Sequence, residues 1–326
     1  MIARTLLAAV SGNASSRRFA ILTYHRVLAR PDPLLPDVPD ASSFESQIAW
    51  LAAHANLVTL RDAMRLSAER RLPPAAVCIT FDDGYRDNAD VAMPILKRHG
   101  VAATFFVASA YVDGGMMWND KVIEAVRVAP DCAALVRAVL DRAPAAPTKL
   151  ECARSIIAHL KYLDTAEREA RADAVLRSAG AATLSPLMMS RHQVAQLAVS
   201  GMEVGAHTVS HPILARTDDV AARIEIERSR AALEDIVQQE IASFAYPNGR
   251  PSRDFTWRDV ELVRAAGFRQ AVTTSWGVAG PACEQLQLPR AGIWRRGGWQ
   301  LLGQLASIYF SGPGERVRPS QCATSS

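Results

Sequence analysis

Val77-Cys78-Ile79-Thr80-Phe81-Asp82-Asp83-Gly84-Tyr85 is the stretch around which the chain is organised. Its apolar, β-branched run from Val77 to Phe81 predicts a buried strand that stops at two adjacent carboxylates and a glycine. Neighbouring side chains in a strand point to opposite faces, so Asp82 and Asp83 cannot share one site there. At the strand's end, with Gly84 free to take an unusual backbone angle, both can turn toward one point. Two carboxylates there repel unless a cation or a shared proton lies between them. Asp-Asp-Gly alone favours the plainer reading of a strand followed by a polar turn. The balance shifts with a second cluster far downstream, His207-Thr208-Val209-Ser210-His211, which also follows an apolar strand and a glycine (Met202-Glu203-Val204-Gly205).

Composition sets the bounds. With 326 residues, 49% hydrophobic and 21% charged, the chain suits a soluble globular protein with a sizeable core, as one large α/β domain or two smaller ones. The net charge of +4 is small and the basic residues are dispersed, which argues for neither nucleic acid nor a strongly acidic partner. The five cysteines include no Cys-x-x-Cys pair, and Cys78, inside the predicted strand, reads as a small core residue. Met1-Ile2-Ala3-Arg4 followed by Thr5 to Val10 imitates a signal peptide, but the apolar run is shorter than a usual h-region. A short uncleaved amphipathic helix is expected instead. No stretch approaches the ~20 apolar residues of a membrane span. The expected location is the cytoplasm or the periphery of the inner membrane.

Along the chain, Phe19 to Tyr24 is a first strand, ending in His25-Arg26-Val27. A proline-rich loop follows, then a helix from about Phe44 to Ala55 capped by Ser42 or Ser43, a strand Leu57 to Leu60 and a helix Arg61 to Ala68. One phrase then occurs three times: helix, glycine, strand. Its copies are Asp87 to His99, Gly100 and Val101 to Val107; Gln193 to Ser200, Gly201 and Met202 to Ala206; and Val260 to Ala266, Gly267 and Phe268 to Thr274. That repetition is the signature of parallel βα units. A long helical stretch, roughly Asn119 to Ala179 and broken at Ala143 to Pro147, reads as an insertion beside them. It either lines a substrate groove or only packs as a helical cap. The tail Ser311 to Ser326 is expected to be disordered.

His207 and His211 stand four apart, a common way to offer two imidazoles to one metal. In parallel sheets and barrels ligands gather at the carboxyl ends of the strands, where Asp83 and both histidines fall. Two neutral imidazoles and one carboxylate leave a coordination position open, the catalytic rather than the structural zinc pattern. With Asp83 as ligand, Asp82 is free to serve as a base.

These residues resemble the polysaccharide deacetylases with a NodB homology domain, carbohydrate esterase family four. The matching phrases are Thr80-Phe81-Asp82-Asp83-Gly84, His207-Thr208-Val209-Ser210-His211 and Phe244-Ala245-Tyr246-Pro247-Asn248-Gly249. Tyr24-His25-Arg26-Val27 is similar to the opening of an exopolysaccharide-associated subgroup. The resemblance runs from about Phe19 to Ile293, excluding most of the insert. It implies an N-terminal extension (1–18), a distorted (β/α) barrel domain (19–310) with a helical insertion at about 119–180, and a tail (311–326). It further implies metal-dependent hydrolysis of an N-acetyl or O-acetyl group on a sugar polymer or oligosaccharide. Asp82 would be the general base, and Asp83, His207 and His211 the ligands of a divalent metal: zinc first, with cobalt, nickel or manganese also accepted by such a set. The Asn248 N–H would help stabilise the oxyanion, an arrangement typically worth ~3 kcal/mol.

Two positions depart from the family's pattern. Ala245 stands where an arginine usually braces the catalytic aspartate, and Leu288-Pro289-Arg290 replaces a Leu-x-His phrase whose histidine protonates the leaving amine. Arg290, with a pKa above ~12, cannot serve as that acid, but it can brace Asp82 from another strand. His25 is then the candidate acid. Tyr85, Tyr246 and Trp276 are expected near the substrate, with Arg86, Trp118, Trp294 and Trp299 as further pocket-wall candidates. Competing readings are an amidase of the same family acting on a small amide and a non-catalytic carbohydrate-binding scaffold. The partner expected is an acetylated glycan, with no nucleic acid and peripheral envelope association at most. An acidic, shallow groove would favour a polymer, and a closed pocket the small amide.

Overall fold

Strand β3, Ala76–Phe81, lies at the centre of a parallel sheet. A computed structural model describes residues 2–13, 16–140, 147–180, 186–293 and 297–319. On one side of β3 runs β1 (Phe19–Tyr24), in register from Phe19 opposite Ala76 to Tyr24 opposite Phe81. The other edge of β3 is shared. The short β2 (Asn56–Leu57) pairs with Ala76 and Val77, and β4 (Thr104–Val107) takes over at Thr80 and Phe81. Then follow β5 (Glu203–Ala206), β6 (Ser243–Ala245) and β7 (Gln270–Val272), while β8 (Ala291–Gly292) lies outside β1. The ends meet through one irregular segment: Leu288 bridges Val272 of β7, and three residues on, Ala291 pairs with Leu22 of β1. The result is the expected distorted barrel, closed by backbone that is mostly not strand.

Alternation along β3 sorts its side chains. Val77, Ile79 and Phe81 join a layer shared with the helix residues Phe44, Ile48 and Leu51. Ala76 and Cys78 face the other way, among Ile21, Phe106, Ala245, Val272 and Leu288 from the other strands. Burial on both faces is why the stretch is apolar at every position rather than at every second one. At the start of the strands, Glu203 accepts from the Arg61 N–H at 2.9 Å and the Thr104 hydroxyl at 2.8 Å, and also takes the Ser243 hydroxyl. Those donors satisfy a carboxylate that would otherwise be costly inside the barrel.

Several boundaries moved for identifiable reasons. The helix expected from Phe44 begins at Ala41, because Asp40 rather than a serine caps it, accepting the Ser43 N–H at 2.9 Å. The helix expected from Asp87 is a π-turn at Asn88–Ala92 followed by an α-helix at Met93–Arg98, with Pro94, which has no N–H, in its first turn. Among the described residues the helical insert forms four helices, Trp118–Val128, Cys132–Leu140, Lys149–Leu160 and Thr165–Ser178, around their own apolar cluster. Its expected break at Ala143 to Pro147 lies mostly outside the described residues. A helix that the sequence reading missed, Gly298–Phe310, packs against the N-terminal helix Ile2–Val10. The tail is not loose over 311–319: Val317 is buried and exchanges two hydrogen bonds with the Gln287 side chain, at 2.8 and 3.1 Å. Among the described residues no helix is long and apolar enough to cross a membrane.

Candidate active site

Asp82 continues the inward-facing series of Cys78 and Thr80. Alternation would send Asp83 outward, but its φ of +76° places it in the left-handed region and brings its carboxylate round to the same rim. Gly84 follows at +89°, where a Cβ would meet Val107 Cγ1 at 2.9 Å. The histidine loop bends in the same way, with Thr208 at +63° and His211 at +56°. Such conformations cost ~1 kcal/mol or more each and persist only where surroundings hold them. Here the holder is Glu225, on the helix Asp219–Val237, which sequence reading missed. Its carboxylate accepts the Val209 and Ser210 N–H groups, both at 2.8 Å, and the Ser210 hydroxyl at 2.7 Å. A glutamate fourteen residues past His211 has no local sequence signal tying it to that loop.

Asp83, His207 and His211 converge. Asp83 Oδ1 lies 3.5 Å from Nε2 of each imidazole, too far for a good hydrogen bond, and is buried without a partner. His207 Nδ1 is 2.7 Å from the Ala245 carbonyl, so Nδ1 carries the hydrogen and donates it. That leaves the Nε2 lone pair of a neutral His207 facing the carboxylate, a repulsive arrangement that a cation relieves. Burial opposes ionisation of Asp83; protonated imidazoles at His207, His211 and His25 would outweigh it and hold its carboxyl well below the usual range, and with the rings neutral that role falls to a cation. Burial, with His207 beside it, pushes His211 down to about 3, so His211 offers lone pairs rather than protons. A buried carboxylate oxygen and ring nitrogens, all within 4.8 Å of one another, fit a divalent ion.

Beside this set lies the expected pair of Asp82 and Arg290. The guanidinium forks onto the carboxylate, Nη1 to Oδ1 at 2.7 Å and Nη2 to Oδ2 at 2.8 Å, with both side chains almost wholly buried. Nε donates to the Thr273 carbonyl at 3.0 Å and Nη1 also to the Thr80 hydroxyl at 3.2 Å, which locks the fork to two strands. Burial raises the Asp82 pKa, but the charge of Arg290 outweighs it and the group stays ionised.

The other expected residues separate. His25 is exposed on the rim of a groove of ≈ 450 Å³ that Tyr24, Arg26, Thr274 and Arg290 also line, and its charge bears on both Asp82 and Asp83. Asn248 sits in a turn at φ +57°, its carbonyl accepting the Thr274 hydroxyl and its N–H unbonded among the described residues. Tyr246 is wholly buried beneath that turn, stacked on Phe255 at 4.0 Å, and its hydroxyl donates to the Leu286 carbonyl. It packs and cannot touch a ligand. Tyr85 is likewise buried, donating to Asp120 of the insert at 3.0 Å beneath the Arg26 guanidinium. Trp276 is 39% exposed but does not line the groove. Arg86 is half exposed and pairs with Asp90, Trp118 is buried in the insert, Trp299 stands exposed on the C-terminal helix, and Trp294 lies outside the described residues. Asp37 is the one carboxylate among the groove's lining residues, which Arg26 and Arg290 also line, so the acidic lining that would favour a polymer is not seen there among the described residues.

The sequence profile described as Polysaccharide deacetylase matches residues 69–271, from just before β3 through the first two positions of β7. The chain belongs to the polysaccharide deacetylase family. It is 32% identical over 105 residues to a poly-β-1,6-N-acetyl-D-glucosamine N-deacetylase of Staphylococcus epidermidis, covering 28% of this chain and 36% of that one. A Staphylococcus aureus protein of the same name is 38% identical over 72 residues, covering 22% of this chain and 25% of that one. The matched region thus spans about a third or less of these relatives' own lengths. Among solved structures, a deacetylase of Streptococcus pyogenes, PplD, in complex with acetate superposes with a TM-score of 0.61 at 20% identity, over 89% of this chain and 99% of that one. IcaB from Ammonifex degensii gives 0.56 at 21%, over 90% and 97%. At these identities the superpositions show the family's barrel and nothing finer.

Proposed function

We propose that the chain is a metal-dependent hydrolase that removes an N-acetyl, or an O-acetyl, group from a sugar of an exopolysaccharide or its oligosaccharide precursor. The observation that carries this reading is the meeting of Asp83, His207 and His211 beside the Asp82–Arg290 fork. The names of the matched relatives, deacetylases of an N-acetylglucosamine polymer, support it. Asp83 Oδ1 and the two Nε2 atoms would hold a divalent ion, which supplies Lewis-acid polarisation of the acetyl carbonyl and acidifies water. Asp82, oriented by Arg290, takes the proton from the attacking water. The Asn248 N–H donates to the oxygen that gains negative charge. His25, on the rim, gives its ring proton to the departing nitrogen.

The direct test is acetate release from N-acetylglucosamine oligomers and from a small amide, in parallel, with and without a chelator. Release from the oligomers that stops on chelation is expected. Release from the small amide alone would replace the sugar reading, and no release from either would leave a binding protein. For the metal itself, one divalent ion per chain is expected by elemental analysis, and its addition to stripped protein should raise Tm. Saturation at a hundred times Kd is worth ~2.7 kcal/mol. An unchanged ion content in a His207→Ala, His211→Ala double variant would place the metal elsewhere. His25→Ala should lower the rate on N-acetyl substrates by about 10²-fold or more, and far less on activated O-acetyl esters, whose leaving group needs little protonation. Equal losses on the two would assign His25 to structure or binding.

A further inference from the structure

At the insert, three cations crowd one aromatic ring. The centre of Tyr162, in the insert, lies 4.3 Å from the Arg253 guanidinium, 5.2 Å from that of Arg216 and 5.6 Å from the Lys161 ammonium. Each is attracted to the ring face, but they repel one another. Two more belong to the group. Burial lowers the Lys161 pKa, and the charges of Arg250, Arg253 and Arg168 hold it down against the opposing charge of Asp254. Arg168 is only 1% exposed, stacked on Trp118 at 5.1 Å, and its Nε and Nη2 are buried without a hydrogen-bond partner. The charges of Glu169 and Asp164 act on it, but neither bonds it, and buried guanidinium donors left unpaired are costly, so they mark a place that an anion would fill.

None of the five forms an ion pair among the described residues, whereas Arg154, Arg191 and Arg258 on the same chain each hold a carboxylate. No nearby acid pairs with the five. Asp254 is wholly buried and accepts the Arg250 N–H at Oδ2, its Oδ1 unpartnered among the described residues, Asp164 caps the helix Thr165–Ser178, and Glu169 pairs with Lys121. The cluster is continuous with the candidate active site: Arg216 lies on the loop that leaves His211, and Arg250 and Arg253 follow Asn248. Dispersed in sequence, these residues are gathered only by the barrel rim and the insert.

We propose that Lys161, Arg168, Arg216, Arg250 and Arg253 form a subsite for an anionic group, a phosphate or a carboxylate, carried by the acetylated glycan next to the sugar that loses its acetyl group. The insert is then the part of the chain that selects an acidic substrate over a neutral one. For the reaction this rests on the deacetylase reading; for binding it does not.

The test compares three N-acetyl oligosaccharides of equal length on the metal-loaded full chain: a neutral N-acetylglucosamine tetramer, one alternating N-acetylglucosamine with glucuronate, and the neutral tetramer bearing a terminal phosphate. At low salt at least one acidic oligosaccharide should show kcat/KM about tenfold above the neutral one, chiefly through KM, and added salt should shrink the gap. The better of the two identifies phosphate or carboxylate. In the double variant R216E/R253E the ratio should fall to about one, with R216Q/R253Q intermediate and Tm recorded to exclude unfolding. Equal turnover of all three by the parent chain, or a ratio unmoved in both variants, overturns the subsite. If no oligosaccharide is hydrolysed, the deacetylase reading fails by itself. Calorimetric binding of the same three probes to parent and R216E/R253E then decides the subsite, an acid preference lost in the variant upholding it and no preference refuting it.

Discussion

Asp82→Asn is expected to lower acetate release by about 10²–10⁴-fold, on the order of 3–5 kcal/mol in the barrier, while the chain keeps its divalent ion. The two halves of that result have separate causes. Asp82 contributes no donor atom to the cluster of Asp83, His207 and His211, and both its oxygens are taken by Arg290. Replacing the carboxylate with an amide removes the proton acceptor and leaves the three donors in place. It also sets an amide NH₂ against a guanidinium N–H, two donors face to face, so some loss of Tm should accompany the loss of rate. Metal content measured beside acetate release separates the roles. A variant that loses its metal along with its activity would make Asp82 a ligand and this assignment wrong.

Arg290→Met should be the most destabilising single change at the site, costing about 3–5 kcal/mol in urea unfolding and abolishing turnover. The pair is almost completely out of water, and the guanidinium also holds Thr273 and Thr80, so its removal strands a buried carboxylate and loosens two strands. Much of that cost is the penalty of the unpaired Asp82, not the worth of the pair. The double variant Asp82→Asn, Arg290→Met should therefore be more stable than the two single losses add up to. The pH dependence has a definite sign. Folding lowers the Asp82 pKa, so the pair's contribution is present above the unfolded value of ~3.9 and is lost as pH falls through the folded value. The stability gap between parent and Arg290→Met should accordingly narrow in acid. A cost under about 1 kcal/mol at neutral pH would mean that Asp82 is not ionised and that Arg290 does not brace it.

Much of the site was legible in the residues because its chemistry is concentrated in short phrases at strand ends. Asp82-Asp83-Gly84 and His207 to His211 each carry their donors within five positions, and each follows an apolar strand, so their meeting could be argued from barrel topology alone. Arg290 was legible in a different way, by the misfit of an arginine where the family carries a histidine; its fork onto Asp82 has the geometry that such a brace needs. The aromatic expectations for Tyr85 and Tyr246 went the other way. Proximity along the chain to Asp83 and Asn248 suggested contact with substrate. Both rings instead turn into the core and use their hydroxyls on Asp120 and Leu286, because a bulky ring gains more by burial than by standing at a rim.

By itself the sequence determined the parallel βα architecture, the strand carrying the two aspartates, and the identity of the three residues that can share one cation. These follow from periodicity and from donor types, which are local properties. Tertiary structure alone decided the rest. It set the left-handed turn at Asp83 that overrides strand alternation, the hold of Glu225 on the histidine loop, and the closing segment that brings Arg290 to Asp82 across the barrel. It also gathered Lys161, Arg216 and Arg253 around the Tyr162 ring from separate loops and the insert. Charge and hydrogen-bond partners act through space at a few ångströms. A chain that spaces them tens to hundreds of residues apart carries no local pattern of their meeting.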